Sequence, residues 1–218
     1  MKKVVGFVAL LALVPSSMLA QAKNEIGLVI GGTVTPSQTL STGASLIGPG
    51  RNVLSSRDLT FGGSLALGAD YDRNLGSTRR VEILGGIDFL ASPLDVKLNQ
   101  RPRIVIPEYA YVFLTPHVRA KFKPNGALSP WLLFGGGYAR FRESAPPTVP
   151  SFKAGTNKGT FEIGGGIDTR TVLHILRIPI AFRIEVRDFY SGTPNYNQTV
   201  SSSLQNNLAF TGGLLIKF

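Results

Sequence analysis

Hydrophobic and polar positions alternate with a period of two in eight segments of this 218-residue chain. In Phe210–Phe218 every second position is apolar or small, and the same period recurs in seven segments upstream. Successive side chains of a β-strand point to opposite faces, so each segment predicts a strand with one apolar and one polar face. The predicted strands cover residues 25–32, 59–71, 81–91, 109–122, 131–141, 160–169, 178–189 and 210–218.

The connections between these strands alternate between long and short. Together with the absence of any amphipathic helix pattern, this predicts an all-β, eight-stranded antiparallel up-and-down barrel. In a transmembrane β-barrel the longer loops lie outside the cell and the short turns lie in the periplasm. The long connections are 34–58, 92–108, 142–159 and 190–207, and the short ones are 72–80, 123–130 and 170–177.

Alternation alone fits two kinds of barrel, because a soluble lipocalin-type carrier has its apolar face inside and a membrane barrel has it outside. The regular alternation of long and short connections favours the membrane barrel. So do aromatic residues at both ends of the strands, because aromatic rings settle at membrane–water interfaces. The predicted interfacial aromatic residues are Phe61, Tyr71, Phe89, Phe122, Trp131, Phe141, Phe161 and Tyr190.

The polar face then lines the barrel interior. Seven acidic and seven basic side chains fall on it in our assignment, and we expect them to pair because an unpaired buried charge is costly. Eight strands enclose a lumen that side chains can fill, which predicts a plugged interior. The predicted ion-pair network contains Glu82, Asp88, Arg119, Arg140, Glu162, Asp168, Arg183, Glu185 and Arg187, with Glu25, Asp70, Lys121, Arg142 and Lys217 on the same face.

The first 22 residues have the features of a cleavable secretory signal peptide. Lys2 and Lys3 precede an apolar run at 4–14, and small residues at Ala20 and Ala22 form the cleavage site. That run is too short to span a bilayer comfortably, which disfavours a retained anchor. We therefore predict a signal peptide at 1–22 and one barrel domain at 23–218. The formal charge of +10 becomes 10 − 2 = +8 without the two lysines.

This architecture, the segment PWLLFGGGYARF at 130–141 and the aromatic C-terminus resemble the eight-stranded outer-membrane β-barrel family of the OmpA/OmpX type over residues 23–218. The resemblance implies secretion, a place in the outer membrane of a Gram-negative-type bacterium, and insertion by the barrel-assembly machinery. It implies no cell-wall tether, because the family's peptidoglycan-binding domain has no counterpart here. The last strand resembles the family's assembly signal at Phe210, Leu214, Ile216 and Phe218.

The sequence offers few candidates for chemistry. The glycine runs at 135–137 and 164–166 lack the lysine and helix of a phosphate-binding loop. His117 is predicted in the lumen and His174 in a short turn, and the chain has no cysteine, so we predict no metal site, no cofactor and no catalytic residues. A lipid-modifying enzyme on the same barrel is the alternative to a non-enzymatic protein, and a lipocalin-like carrier is the third hypothesis.

We therefore expect a monomeric, integral outer-membrane protein with a structural, envelope-stabilising or surface-interaction role through four external loops. Its basic residues are scattered rather than clustered, which argues against nucleic acid as a partner. Its expected partners are outer-membrane lipids and lipopolysaccharide phosphates, with simple solvation of the loop charges as the equal alternative. The loop cations in question are Arg51, Arg57, Lys97, Arg101, Arg103, Lys153 and Lys158.

Overall fold

The computed structural model describes residues 24–47, 53–94, 96–98, 109–143, 155–175, 178–194 and 202–218. The predicted signal peptide lies outside them. Alternating sequence produces strands throughout, and no helix in the described ranges is long and apolar enough to cross a membrane. The strands are β1 (Asn24–Val34), β2 (Gln38–Ile47), β3 (Val53–Phe61), β4 (Ser64–Ser77), β5 (Val81–Leu94), β6 (Val96–Leu98), β7 (Tyr109–Phe122), β8 (Leu128–Glu143), β9 (Gly155–Thr169), β10 (Leu173–Ile175), β11 (Ile178–Gly192) and β12 (Leu204–Lys217).

Eight of these strands close into a barrel in the order β12, β1, β4, β5, β7, β8, β9, β11, with β11 pairing back to β12. Every pairing in this ring is antiparallel. The predicted eight-stranded antiparallel barrel is therefore confirmed. Strands β2, β3 and β6 form a separate three-stranded sheet, and β10 pairs with β11 alone. We call the end with the long connections the loop end. The opposite end, where β1 begins and β12 ends, is the turn end.

The structure corrects the boundary of the second predicted strand. Residues 59–71 were expected to form one strand, but β3 ends at Phe61 and β4 begins at Ser64. Gly62 and Gly63 separate the two strands, and glycine often marks the place where a chain leaves a strand ladder. Phe61 pairs with Val96 in the three-stranded sheet, so its predicted position on the barrel wall was wrong.

The outer face of the barrel is apolar and the inner face is polar. Ile184, in the middle of β11, exposes 72% of its surface to the outside, while its neighbours Arg183 and Glu185 are buried inside. The same inside–outside alternation holds in β4, where Leu67 is exposed and Asp70 is buried. A lipocalin-type carrier needs the reverse arrangement, so this distribution rules out that hypothesis.

In β8 the predicted faces are inverted. Trp131 is 2% exposed and Phe141 is fully buried, so both point into the barrel, whereas Arg140 is exposed on the outer wall, as is Arg142. Residues directly opposite each other in antiparallel strands share a face, and Trp131 stands opposite the inward-facing Lys121. The assignments of Trp131 and Phe141 as interfacial aromatics, and of Arg140 and Arg142 as lumen charges, were therefore wrong.

Candidate functional site: the ionic interior of the barrel

Strand β7 shows how the barrel interior is divided along its axis. From the loop end to the turn end its buried, inward-facing side chains change from aromatic rings through a hydroxyl and an imidazole to cations. Neighbouring strands contribute matching groups at each level, so the interior has two chemically distinct regions. In order along β7, the six side chains are Tyr111, Phe113, Thr115, His117, Arg119 and Lys121.

The region nearer the loop end is the aromatic cluster, defined here as Tyr111, Phe113, Phe141 and Phe189. Phe113 lies at its centre, stacked on Phe189 with ring centroids 4.4 Å apart. It also meets the edge of Phe141 at 6.0 Å and the ring of Tyr111 at 5.0 Å. Offset and edge-on contacts of this kind are the arrangements that aromatic rings favour. The cluster therefore places packed aromatic rings inside this part of the barrel.

The region nearer the turn end is the ionic belt. It contains eight carboxylates and five lysine or arginine side chains among the described residues, together with His117. All but Glu82 and Lys217, which are half-buried, are buried. The carboxylates are Glu25, Asp70, Asp72, Glu82, Asp88, Glu162, Asp168 and Glu185, and the cations are Arg119, Lys121, Arg183, Arg187 and Lys217.

Eight of the nine predicted network residues lie in this belt, and Arg140 is the exception. We did not predict Asp72, although it has the same parity as Asp70 on β4 and therefore the same face. Trp131 was also not predicted in this region, because the inward and outward faces of β8 were exchanged in the prediction.

Arg183 connects strands on opposite sides of the lumen. Its Nε lies 2.8 Å from Asp168 Oδ1 and its Nη2 lies 3.0 Å from Asp168 Oδ2, a two-pronged ion pair with the adjacent strand β9. Its Nη1 lies 2.6 Å from Asp70 Oδ1 on β4, three strands away around the ring. One guanidinium thus joins two carboxylates across the barrel, using the fork geometry that suits arginine to this task.

Trp131 supports the same group of charges from β8. Its ring lies under the Arg119 guanidinium, with 4.4 Å from Cζ to the ring centroid, and its Nε1 donates a 3.0 Å hydrogen bond to Asp168 Oδ1. Arg119 in turn contacts Asp72 and lies 3.1 Å from Asp70. A tryptophan can do both because its face attracts cations while its N–H donates to an acceptor.

Lys121 carries the belt towards the turn end. Its Nζ lies 2.5 Å from Glu25 Oε2 and 2.9 Å from Asp168 Oδ2. Lys217, on the last strand, lies 3.8 Å from the other oxygen of Glu25. Glu25 therefore sits between two lysines from different strands.

Arg187 serves several carboxylates at once. Its Nη1 contacts Asp88 and lies 3.5 Å from Glu162, while its Nη2 lies 2.6 Å from Glu185. Thr115 donates to Glu162 and Thr211 donates a 2.7 Å hydrogen bond to Glu185, which adds neutral donors where cations are scarce. The part of the belt around Arg187 therefore holds more carboxylates than cations.

His117 lies beside this acidic part of the belt. Its Nε2 lies 2.7 Å from Asp72 Oδ1 across Gly86, where an added Cβ would lie 2.5 Å from the same Asp72 oxygen and 2.9 Å from the histidine nitrogen. Only glycine leaves room for this contact. A ligand atom of His117 also lies within 4.8 Å of ligand atoms of Asp88 and Glu162, so these three side chains could hold a metal ion.

Neither histidine of the chain stands where a lipid hydrolase of this fold would need one. His117 is buried inside the barrel, and His174 is exposed on β10 at the turn end. A Ser–His–acid set acting on the outer leaflet would have to lie at the loop end of the outer wall. The lipid-modifying alternative therefore gains no support from either histidine.

The remaining predicted site residues lie on the outer face. Leu214 and Phe210 of the predicted assembly signal are exposed there, while Ile216 and Phe218 are half-buried near the turn end. Their role in assembly stays a prediction. The predicted interfacial aromatic residues that do point outward from the wall are Tyr71, Phe89, Phe122, Phe161 and Tyr190.

Solved structures of other proteins share this architecture. Neisserial surface protein A superimposes with a TM-score of 0.55 at 9% identity, covering 90% of this chain and 97% of that one. The outer membrane protein OprG from Pseudomonas aeruginosa superimposes with a TM-score of 0.52 at 12% identity, covering 91% of this chain and 97% of that one. No protein-family model and no curated protein sequence matches the chain. The closed ring of eight antiparallel strands, apolar outside and ionic inside, is the fold of the outer-membrane β-barrels.

Proposed function

We propose that this protein is a monomeric, non-enzymatic barrel of the bacterial outer membrane, closed to diffusion, that stabilises the envelope or presents its four external loops to partners. The apolar outer face supports the membrane location, because the hydrocarbon of a bilayer solvates apolar side chains better than water does. In this proposal the outward aromatic residues lie at the two interfaces, and the terminal strand is read by the barrel-assembly machinery.

The observation that carries the closed interior is the ion pair between Arg183 and Asp70, which crosses the lumen at 2.6 Å. Arg119 on β7 and Trp131 on β8 occupy the same height along the barrel axis, and the aromatic cluster occupies the part of the interior nearer the loop end. Eight strands leave an interior just wide enough for such side chains. A continuous water path would have to pass through both regions.

Conductance across a planar bilayer tests the closed interior. We expect the full chain, inserted from detergent at 1 M KCl (about 3 Å Debye length, so surface charge is screened), to give no stable open level. A double variant, Arg183→Ser with Trp131→Ser, removes side chains that fill the lumen and should open steps of conductance. A steady ohmic channel in the unaltered protein would contradict the proposal.

Contact with outer-leaflet phosphates is the second part of the proposal. Arg140 and Arg142 lie two residues apart on the outer wall of β8 near the loop end, directly beyond the exposed ring of Tyr138. Among the described residues neither forms an ion pair. Two unpaired guanidiniums above an aromatic ring, at the level where the membrane surface would lie, suit the phosphate groups of lipopolysaccharide. Of the loop cations considered from sequence, Lys158 alone has a described side chain, which is half-buried.

Lipopolysaccharide retained through purification measures this contact. The double variant Arg140→Ser with Arg142→Ser should lose most of the lipopolysaccharide detected per barrel by native mass spectrometry. Arg79→Ser with Arg80→Ser is the matched control, because these two exposed arginines lie in the short connection at the turn end. Equal retention by both double variants would remove Arg140 and Arg142 from the proposal without affecting the closed barrel.

A further inference from the structure

Three buried side chains inside the barrel have the composition of a metal site. Asp88 on β5, His117 on β7 and Glu162 on β9 place one potential ligand atom each within 4.8 Å of the others. We propose that they bind one divalent transition-metal ion of the zinc class. Imidazole nitrogen and carboxylate oxygen are both good ligands for such ions, and three protein ligands suffice to hold one.

The hydrogen bond of His117 prepares its ring for this role. Nε2 is 2.7 Å from Asp72 Oδ1, so a neutral ring places its proton on Nε2 and leaves the lone pair on Nδ1. Nδ1 is buried and has no hydrogen-bond partner among the described residues. Metal-binding histidines are typically oriented by a carboxylate on their other nitrogen, and Asp72 occupies that position here.

The charge of the ionic belt also favours a cation at this place. Eight carboxylates face five lysine or arginine side chains in the described belt, an excess of 8 − 5 = 3 negative charges. Lys158, the sixth inward-facing cation among the described residues, lies beside Gly192 near the loop end, away from the belt. One dication would reduce the excess to one. Buried charges without partners are costly, so the belt gains from binding it.

Arg187 is the group that the ion would partly displace. Its Nη1 contacts Asp88 and approaches Glu162, while its Nη2 holds Glu185 at 2.6 Å. Withdrawal of Nη1 frees both ligands, and the pair with Glu185 can persist. In the tetrahedral geometry that zinc prefers, metal–ligand bonds of about 2.1 Å place two ligand atoms about 3.4 Å apart, so the side chains must close by up to about 1.4 Å from the present limit of 4.8 Å.

Titration of the untagged full chain, folded into detergent micelles, tests the site. We expect isothermal calorimetry with zinc chloride to show saturable binding of one ion per chain. His117→Gln should abolish it, and Asp72→Asn should weaken it about 10- to 100-fold by removing the orienting carboxylate. His174→Gln is the matched control, because it removes the exposed histidine and should leave the binding unchanged.

A spectroscopic measurement keeps the proposal testable if the His117 variant does not fold. With His174 replaced by Gln, His117 is the only histidine left in the chain. X-ray absorption of the zinc-loaded His174→Gln protein should therefore show one imidazole and oxygen ligands at about 2.0 Å. Absence of saturable binding in the unaltered chain, or a bound zinc without imidazole scattering, would overturn the proposal.

Discussion

The ionic belt and the aromatic cluster occupy the same barrel and share strand β7, yet they are held by different forces. In the belt, Arg183 satisfies Asp168 and Asp70 through three directed contacts of 2.6–3.0 Å. In the cluster, Phe113 touches three rings without any hydrogen bond between them. The belt depends on matched partners, whereas the cluster depends on filled volume.

This difference predicts how each region responds to substitution. Removing one member of a buried ion pair leaves the other charge without a partner. An uncharged side chain of similar size does not remove this free-energy cost, because it restores no charge. An apolar cluster tolerates a change of shape much better, provided that its volume is kept. The two regions can therefore be compared in one protein with substitutions of similar size.

The largest effect is expected at Arg183. Arg183→Met keeps a long apolar side chain but leaves Asp168 and Asp70 without their shared guanidinium, so the free energy of unfolding should fall by about 3–5 kcal/mol. Reversible urea unfolding from lipid vesicles measures this. Arg140→Met is the matched control, because Arg140 is exposed on the outer wall and makes no ion pair with the described residues. Equal losses for the two variants would mean that the ionic belt contributes no more than a surface charge.

Sequence was sufficient where the two faces of a strand differ strongly. In β11 the cations and carboxylate at 183, 185 and 187 alternate with Phe182, Ile184 and Val186, and the inward and outward faces were predicted correctly. The loop asymmetry likewise indicated which end carries the long connections. Both signals are local, because they need only the period of a strand and the length of a connection.

Sequence was insufficient where both faces of a strand are apolar. In β8, Trp131 and Leu133 on one face are as apolar as Leu132 and Phe134 on the other, and a glycine triplet interrupts the alternation. The faces are decided by the pairing of Trp131 with Lys121, a contact between strands that no local pattern contains. Arg140 was assigned to the interior for the same reason. The expectation that lumen residues are polar also hid the aromatic cluster.

A smaller effect is expected at the centre of the aromatic cluster. Phe113 is fully buried, and Phe113→Leu keeps an apolar side chain of somewhat smaller size that can repack against Phe189 and Phe141. Apolar substitutions that nearly keep the side-chain volume usually cost less than about 1.5 kcal/mol, so the urea midpoint in lipid vesicles should fall only modestly. Phe161→Leu, at an outward position that is 65% exposed, is the control for the loss of a ring outside the lumen. The loss of unfolding free energy at Phe113 could instead be as large as that of Arg183→Met. Side-chain volume alone cannot account for such a loss, so the aromatic cluster would then depend on its ring contacts as strictly as the ionic belt depends on its ion pairs.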